Sequence, residues 1–374
     1  MAYRVPFVDP RTHYRNLKDE IDAAIEDCLS KGDLILRDQL KRFEENFASF
    51  VGTKYAVGLN SGYHALALSL QAAGIGAGDE VITVAHTFVA TISAIVHCGA
   101  TPVLIDVGKD YNMDMDALER AVTPRTKAVI PVHLNGRMCD MNKLETITRK
   151  YNLIVIEDAA QAIGAKYDGE IVGSFGLAGC FSHYPFKILG GFGDGGIITT
   201  NDPHVARKAA LLRYNGEDRK TGEYHYHGYT CLLDNVQAAV LDVKLRYLPQ
   251  WIKRRRQIAA LYFQGLSKIS DLVLPPFKGG KYFDVYQNYV IRTKKRGELA
   301  TYLKECGIET LIHWRKPVWK HKGLELGSYN LPETESICRE VLSLPMNTEI
   351  TDDQVSYVIE CIRSFHKSAD SKRR

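Results

Sequence analysis

At 374 residues the chain is too long for one small core, so two domains are expected. Hydrophobic residues at 45% and charged residues at 25% are those of an ordinary globular protein, and a net charge of +4 excludes the strongly basic surface of a nucleic-acid binder. The 8 cysteines stand singly with no Cys-x-x-Cys pair, which argues against a zinc site or a disulfide framework.

The first residues, from Met1 to Pro10, carry no apolar signal segment, and no apolar run long enough to span a bilayer follows. A reducing cytoplasm, with no membrane and no metal, is therefore expected. Between Lys54 and Thr200, short β-branched runs alternate with helical stretches. The runs are Val81 to Val84, Pro102 to Asp106, Ala128 to Val132 and Leu153 to Ile156; Met115 to Val122 and Met141 to Tyr151 read as helices. The runs are apolar throughout, as strands covered by helices on both faces would be, which predicts an α/β fold with a mostly parallel sheet. Ligands of such sheets sit beyond the carboxyl ends of the strands.

After Thr200 the pattern changes. The stretch Asn215 to Tyr229, rich in glycine and tyrosine, reads as a long functional loop, and Leu233 to Leu266 as a long helix bridging two domains. The remainder mixes a strand at Asn288 to Ile291 with helices at Gly297 to Cys306 and Thr351 to Phe365. The expected division is a large domain over 1–245 and a smaller α+β domain over 246–374. Lys253-Arg254-Arg255-Arg256 falls within the long helix and reads as a solvated face; Lys372-Arg373-Arg374 reads as a frayed tail.

Three segments carry candidate chemistry. In Ala56 to Leu68 a strand turns into a helix whose expected N-cap is Ser61, followed by Gly62. Such a helix start offers free N–H groups to a phosphate, although an ordinary capped helix reads the same way. In Ile154 to Gln161, Asp158 ends a buried strand, where a charge needs a partner: a cationic ligand, a helix cap or a salt bridge. In Gly179 to Thr200, Lys187 lies between an aromatic strand and a loop with glycines at 190, 191, 193, 195 and 196. Lysines are mostly surface residues, but one held in a glycine-rich pocket can become a nucleophilic amine.

Taken together these segments resemble the DegT/StrS family of pyridoxal-phosphate (PLP)-dependent nucleotide-sugar aminotransferases. Further segments carry the resemblance: Gly76 to Ile82, Thr87 to Thr91, Glu157 to Ala165, Gly193-Asp194-Gly195-Gly196 and Val341 to Met346. The resemblance implies an aspartate-aminotransferase-like (PLP fold type I) large domain with a smaller α+β C-terminal domain, and a homodimer sharing its active sites. It implies that Lys187 holds the cofactor as a Schiff base and shuttles a proton. Asp158 would pair with the pyridine nitrogen, Gln161 with the ring hydroxyl, and Phe88 would stack on the ring. Ser61, the amides of Gly62 and Tyr63, and Ser182 would hold the phosphate, with Thr230 reaching the neighbouring subunit's phosphate. His183, Tyr184, His313 and Trp314 would face substrate.

By the same resemblance, L-glutamate donates the amino group, leaving pyridoxamine phosphate, and a nucleotide-linked keto sugar accepts it. Gly-Asp-Gly-Gly resembles the branch acting at carbon 3 rather than carbon 4. A cyclitol ketone as acceptor, or a retired scaffold serving as a regulator, are the alternatives. Departures from the family pattern fall at Tyr63, at His183, and at Gly228-Tyr229-Thr230-Cys231-Leu232, where the family's Gly-Tyr-Asn-x-Arg is expected. The lost arginine at Leu232 bears on the donor's carboxylate. The stretch His313-Trp314-Arg315-Lys316-Pro317 departs from a His-Tyr-Pro pattern.

Overall fold

The computed structural model describes residues 3–277 and 280–371, so the basic run at 372–374 lies outside the described residues. Seven strands form the central sheet: β1 (Tyr55–Leu59), β2 (Glu80–Val84), β3 (Thr101–Ile105), β4 (Thr126–Ile130), β5 (Ile154–Asp158), β6 (Ala178–Ser182) and β7 (Gly196–Thr200). They lie in the order β1-β7-β6-β5-β4-β2-β3. Only β7 runs against its neighbours, β1 and β6. The carboxyl ends of β1, β2, β4, β5 and β6 therefore share one edge.

The sheet is covered on both faces, as its apolar runs require. The chain also forms α1 (Pro10–Asn16), α2 (Lys18–Ser30) and α12 (Pro332–Glu340). One face of the sheet packs on α3 (Asp38–Val51), α6 (Met115–Ala121), α7 (Met141–Tyr151) and α9 (Asn235–Leu245), through Leu40, Phe43, Phe47, Leu118, Leu144 and Leu241. The other packs on α4 (Gly62–Ala72), α5 (Val89–His97) and α8 (Pro203–Leu212), through Leu66, Leu68, Leu70, Ile95, Ala209 and Leu212. Phe43 and Phe47 are fully buried, which stabilises by about 1.5–3 kcal/mol each.

The long helix expected after Leu233 is two helices. α9 ends at Leu245 and α10 (Leu248–Leu266) begins anew with Pro249 in its first turn. That proline lacks the N–H needed to continue the preceding helix. α10 spans two cores: Leu248 and Ile252 pack under the sheet, whereas Ile258, Tyr262 and Leu266 pack in a second core. That second core also takes the antiparallel pair β8 (Tyr289–Arg292) and β9 (Val341–Leu344), with α11 (Arg296–Glu305) and α13 (Asp352–Ser371). Val5 joins it and bridges to Ile308, so the start of the chain packs with its end. We propose that the domain division runs through α10 and returns residues near Val5 to the smaller unit.

The basic run on α10 is not a solvated face. Lys253 alone is exposed; Arg254 pairs with Asp352 at 2.7 Å, and Arg256 lies over the Phe283 ring at 3.9 Å. Arg255 is buried and donates from one terminal nitrogen to the carbonyls of Tyr286 and Gln287 at 3.0 and 3.2 Å. It occupies the apolar stripe that faces the core, and the carbonyls replace water as its partners. Among the described residues no helix is long and apolar enough to cross a membrane.

Candidate active site

The site residues gather at the shared carboxyl edge because register puts them there. Leu59 and Ser182 both pair with Gly196, so the ends of β1 and β6 are held to the start of β7. Ser61 caps α4, its Oγ accepting the His64 N–H at 3.2 Å. The space around the turn is close: a Cβ on Gly62 would lie 2.8 Å from Ser182 Cβ, and one on Gly196 would lie 2.3 Å from Ser61 C and O. Glycine at both positions lets Ser182 and the α4 N-terminus converge on one spot, with free N–H groups and a positive dipole end suited to a phosphate. Tyr63 contributes no side chain there; its hydroxyl pairs with His97 on the neighbouring helix.

Asp158 ends β5 in the middle of this edge and is 6% exposed. Thr91 Oγ1 donates to one carboxylate oxygen at 2.8 Å, and the Ala160 N–H to the other at 3.2 Å. Burial nevertheless raises the Asp158 pKa, against the pull of these donors and of Lys187. A buried carboxylate held this way is set for a cationic N–H. One turn on, Gln161 accepts the Asn135 N–H through Oε1 at 2.9 Å, which turns its NH2 outward as a donor.

Lys187 follows β6 in the glycine-rich loop, its N–H bound to Tyr184 O at 2.8 Å. Its side chain is half-buried, and burial lowers its pKa to about 8, with Asp158 acting the opposite way. His313 feels the same charge: its pKa is lowered to about 4 by burial first and then by Lys187. His313 Nδ1 lies 2.8 Å from Ser343 Oγ, which fixes the ring to β9. The cluster thus combines free N–H groups at a helix start, a buried carboxylate, an amide donor and an amine whose pKa is lowered to about 8. That set fits pyridoxal phosphate. Among the described residues no group of His, Cys, Asp or Glu could hold a metal.

The sequence pattern of the DegT/DnrJ/EryC1/StrS aminotransferase family matches residues 15–363. The chain belongs to that family. It is 42% identical over 372 residues to a Geobacillus stearothermophilus protein named pleiotropic regulatory protein, covering 97% of this chain and 99% of that one. It is 40% identical over 371 residues to dTDP-3-amino-3,4,6-trideoxy-alpha-D-glucose transaminase of Streptomyces venezuelae, covering 98% and 97%. The solved structure of S. venezuelae DesV in complex with a ketimine intermediate superimposes with a TM-score of 0.94 at 39% identity, covering 98% and 99%. Other solved aminotransferases of this fold carry the cofactor in PLP or PMP form. The fold is thus that of the PLP aminotransferases, and the chain is an aminotransferase.

Within this family member the other expected residues fall as follows. Phe88 precedes α5 and is 59% exposed at the carboxyl edge. Tyr184 is exposed, with its ring edge-on to Phe186 at 5.4 Å. Trp314 packs edge-on to His86 at 5.1 Å and holds a left-handed backbone (φ 51), a conformation costly for a bulky residue. Thr230 is exposed and donates to Asn215 Oδ1 at 2.9 Å, within its own chain.

His183 departs from expectation. Its side chain is fully buried between Phe43 and Phe47, with Nδ1 2.9 Å from Leu189 O, and burial lowers its pKa to about 4. Side chains alternate along the strand end, so Ser182 faces the site and Phe181 and His183 face the core. His183 therefore touches no substrate.

Several residues escaped the sequence reading: Thr91 on Asp158, Asn135 and Asn288 on Gln161, and the His133–Glu157 pair beneath. His133 Nε2 lies 3.1 Å from Glu157 Oε2, while Glu157 accepts the N–H groups of Gly173, Phe175 and Gly176. This anchors the strand that presents Asp158. Two cavities flank the loop. One of ≈ 220 Å³ lies behind Lys187 and is lined by His13, Lys244, Arg255 and Glu349. The other, of ≈ 300 Å³, adjoins Ser61 and is lined by Asn60, His64, Asp194, Leu232 and Asp234.

Proposed function

We propose that this aminotransferase moves the amino group of L-glutamate to the C-3 keto group of a nucleotide-linked deoxy sugar, working as a homodimer. The observation that carries the reading is Lys187, its pKa lowered by burial and its charge felt by Asp158 and His313, on the loop that leaves Ser182 of the Ser61–Gly62–Ser182 cradle. Its cofactor is pyridoxal phosphate, which when bound supplies an electron sink that stabilises negative charge on the amino-bearing carbon. Lys187 Nζ would be the nucleophile that holds the cofactor and the base that moves a proton at the amino-bearing carbon. Asp158 would pair with the ring nitrogen, Gln161 would donate to the ring hydroxyl, and Phe88 would stack on the ring. Ser61, the Gly62 and Tyr63 amides and Ser182 would hold the phosphate.

Support for a nucleotide sugar comes from the activity for which the Streptomyces venezuelae relative is named, and support for C-3 from that same name together with Gly193-Asp194-Gly195-Gly196. Support for a dimer comes from the exposed aromatic rings beside the site, Phe88, Tyr184 and Phe186, and from Thr230 at the surface. Leu232, in the cavity beside Ser61, leaves the donor without the arginine of the family pattern, so its carboxylate is held by other donors. The name of the Geobacillus relative favours a second reading, a regulator on the same scaffold. The purified protein should be assayed with L-glutamate and with 3-keto and 4-keto nucleotide sugars. Turnover of the 3-keto compound supports the proposal; turnover of the 4-keto compound alone would sink the regiochemistry. A protein that binds PLP but turns over neither would favour the regulator.

A further inference from the structure

The residues on either side of Lys187 are gripped by one side chain from the smaller unit. Gln287 is 8% exposed; its Nε2 donates to Phe186 O at 3.1 Å, and its Oε1 accepts the Ile188 N–H at 3.0 Å. We infer that Gln287 is a positioning residue for Lys187, clamping the backbone before and after that lysine through a two-point amide contact. The inference rests on the reading of Lys187 as the cofactor's lysine.

The clamp is itself held in place. The next residue, Asn288, donates to Asn135 Oδ1 at 3.2 Å and to Gln161 Oε1 at 3.4 Å, so consecutive residues of one segment serve Lys187 and Gln161. Buried Arg255 fixes the segment by binding the carbonyls of Tyr286 and Gln287. Tyr286 takes a left-handed backbone (φ 52), strained for a tyrosine and kept only where the surroundings determine it. Gly136 permits the close approach: a Cβ there would stand 2.7 Å from Tyr286 N and 2.8 Å from Gln287 N. With Lys187 N–H on Tyr184 O, both peptides flanking the lysine are held by hydrogen bonds. Proton transfer and nucleophilic attack can lose about a hundredfold in rate when the reacting group is misplaced by about an ångström.

The test is Gln287→Met in the PLP-loaded enzyme, which keeps the volume and removes both hydrogen bonds. Three quantities are read: thermal midpoint, the pH midpoint of the bound cofactor's visible absorbance, and the single-turnover rate with amino donor. The expected result is a folded variant whose absorbance midpoint moves by about half a pH unit or more. Its rate should fall about tenfold or more with the donor's KM nearly unchanged. A role in folding alone would lower the thermal midpoint and leave the other two in place; that result would overturn the inference. If Gln287→Met does not fold, Gln287→Glu carries the same test, since it loses the donor to Phe186 O. Absence of the visible band in the wild-type enzyme would overturn the cofactor reading and this inference with it. A normal wild-type band with unchanged variant behaviour overturns the clamp alone.

Discussion

Thr91→Val changes one atom that matters. Thr91 is 1% exposed, and valine has its shape, so packing is kept while the hydroxyl that donates to Asp158 Oδ2 at 2.8 Å is lost. A hydrogen bond to a charged acceptor contributes about 1.5–3 kcal/mol, and that amount removed from the ionised form raises the carboxyl pKa by about one to two units. Burial already holds the Asp158 pKa above its ordinary value, so the further rise brings protonation toward the working range. Thr87 Oγ1, 2.9 Å from Thr91 Oγ1, loses its partner as well, which adds to the destabilisation. With Asp158 neutral, the ring nitrogen loses its counter-charge. The rate of the glutamate half-reaction should therefore fall about tenfold at neutral pH and recover partly as pH rises. Stopped-flow absorbance across pH measures this directly. A Thr91→Val enzyme with the wild-type rate and pH profile would refute the assignment of Asp158 as the ring-nitrogen partner supported by Thr91.

Gly196→Ala would drive a Cβ to 2.3 Å from Ser61 C and O, so the cradle must open; cofactor affinity should drop about tenfold or more in an absorbance titration, and an unchanged affinity would place the phosphate elsewhere. Acid should destabilise the fold through two of its buried histidines. His86 and His183 have pKa values lowered to about 3 and about 4, below their unfolded value of about 6.5, so the unfolded state binds more protons as pH falls. Stability is thus fully present above that value and lost as pH falls toward 4, by about 2 kcal/mol for each histidine at pH 5. Urea unfolding at several pH values checks this, and His183→Phe should flatten the dependence; an equally steep His183→Phe curve would contradict the burial argument. Capture of added PLP by cofactor-free protein should quicken as pH rises through about 8, where Lys187 becomes neutral. A rate independent of pH would show that another step limits capture.

Much of this site was legible because its signals are local. Ser61 and Gly62 sit at a strand–helix turn, Asp158 at the end of an apolar run, and Lys187 among glycines, and each pattern spans fewer than a dozen residues. The inward turn of His183 was readable too, since alternation along Phe181-Ser182-His183 puts the first and last on one face. Arg255 likewise stands in line with Ile252, Ile258 and Tyr262 at helical spacing, which marks it as core-facing. The break between α9 and α10 was signalled by Pro249. Thr91 ends a segment that carries the family resemblance, but nothing local marks its hydroxyl as a donor to Asp158, and no local pattern marks Asn288 or Gln287; the partners lie 67, 127 and 99 residues away in the chain. Packing of α5 on the sheet brings Thr91 to Asp158, and packing of the smaller unit against the carboxyl edge brings Asn288 and Gln287 to Gln161 and the Lys187 loop.

Every role proposed for the site depends on Lys187 holding pyridoxal phosphate and passing on the amino group of L-glutamate. An absorbance spectrum of the purified protein, before and after L-glutamate, decides it, with Lys187→Ala alongside. We expect a visible band, absent from Lys187→Ala, that L-glutamate converts to the shorter-wavelength band of pyridoxamine phosphate. A band that persists unchanged would contradict glutamate as donor, and no band after PLP is supplied would contradict the claim itself.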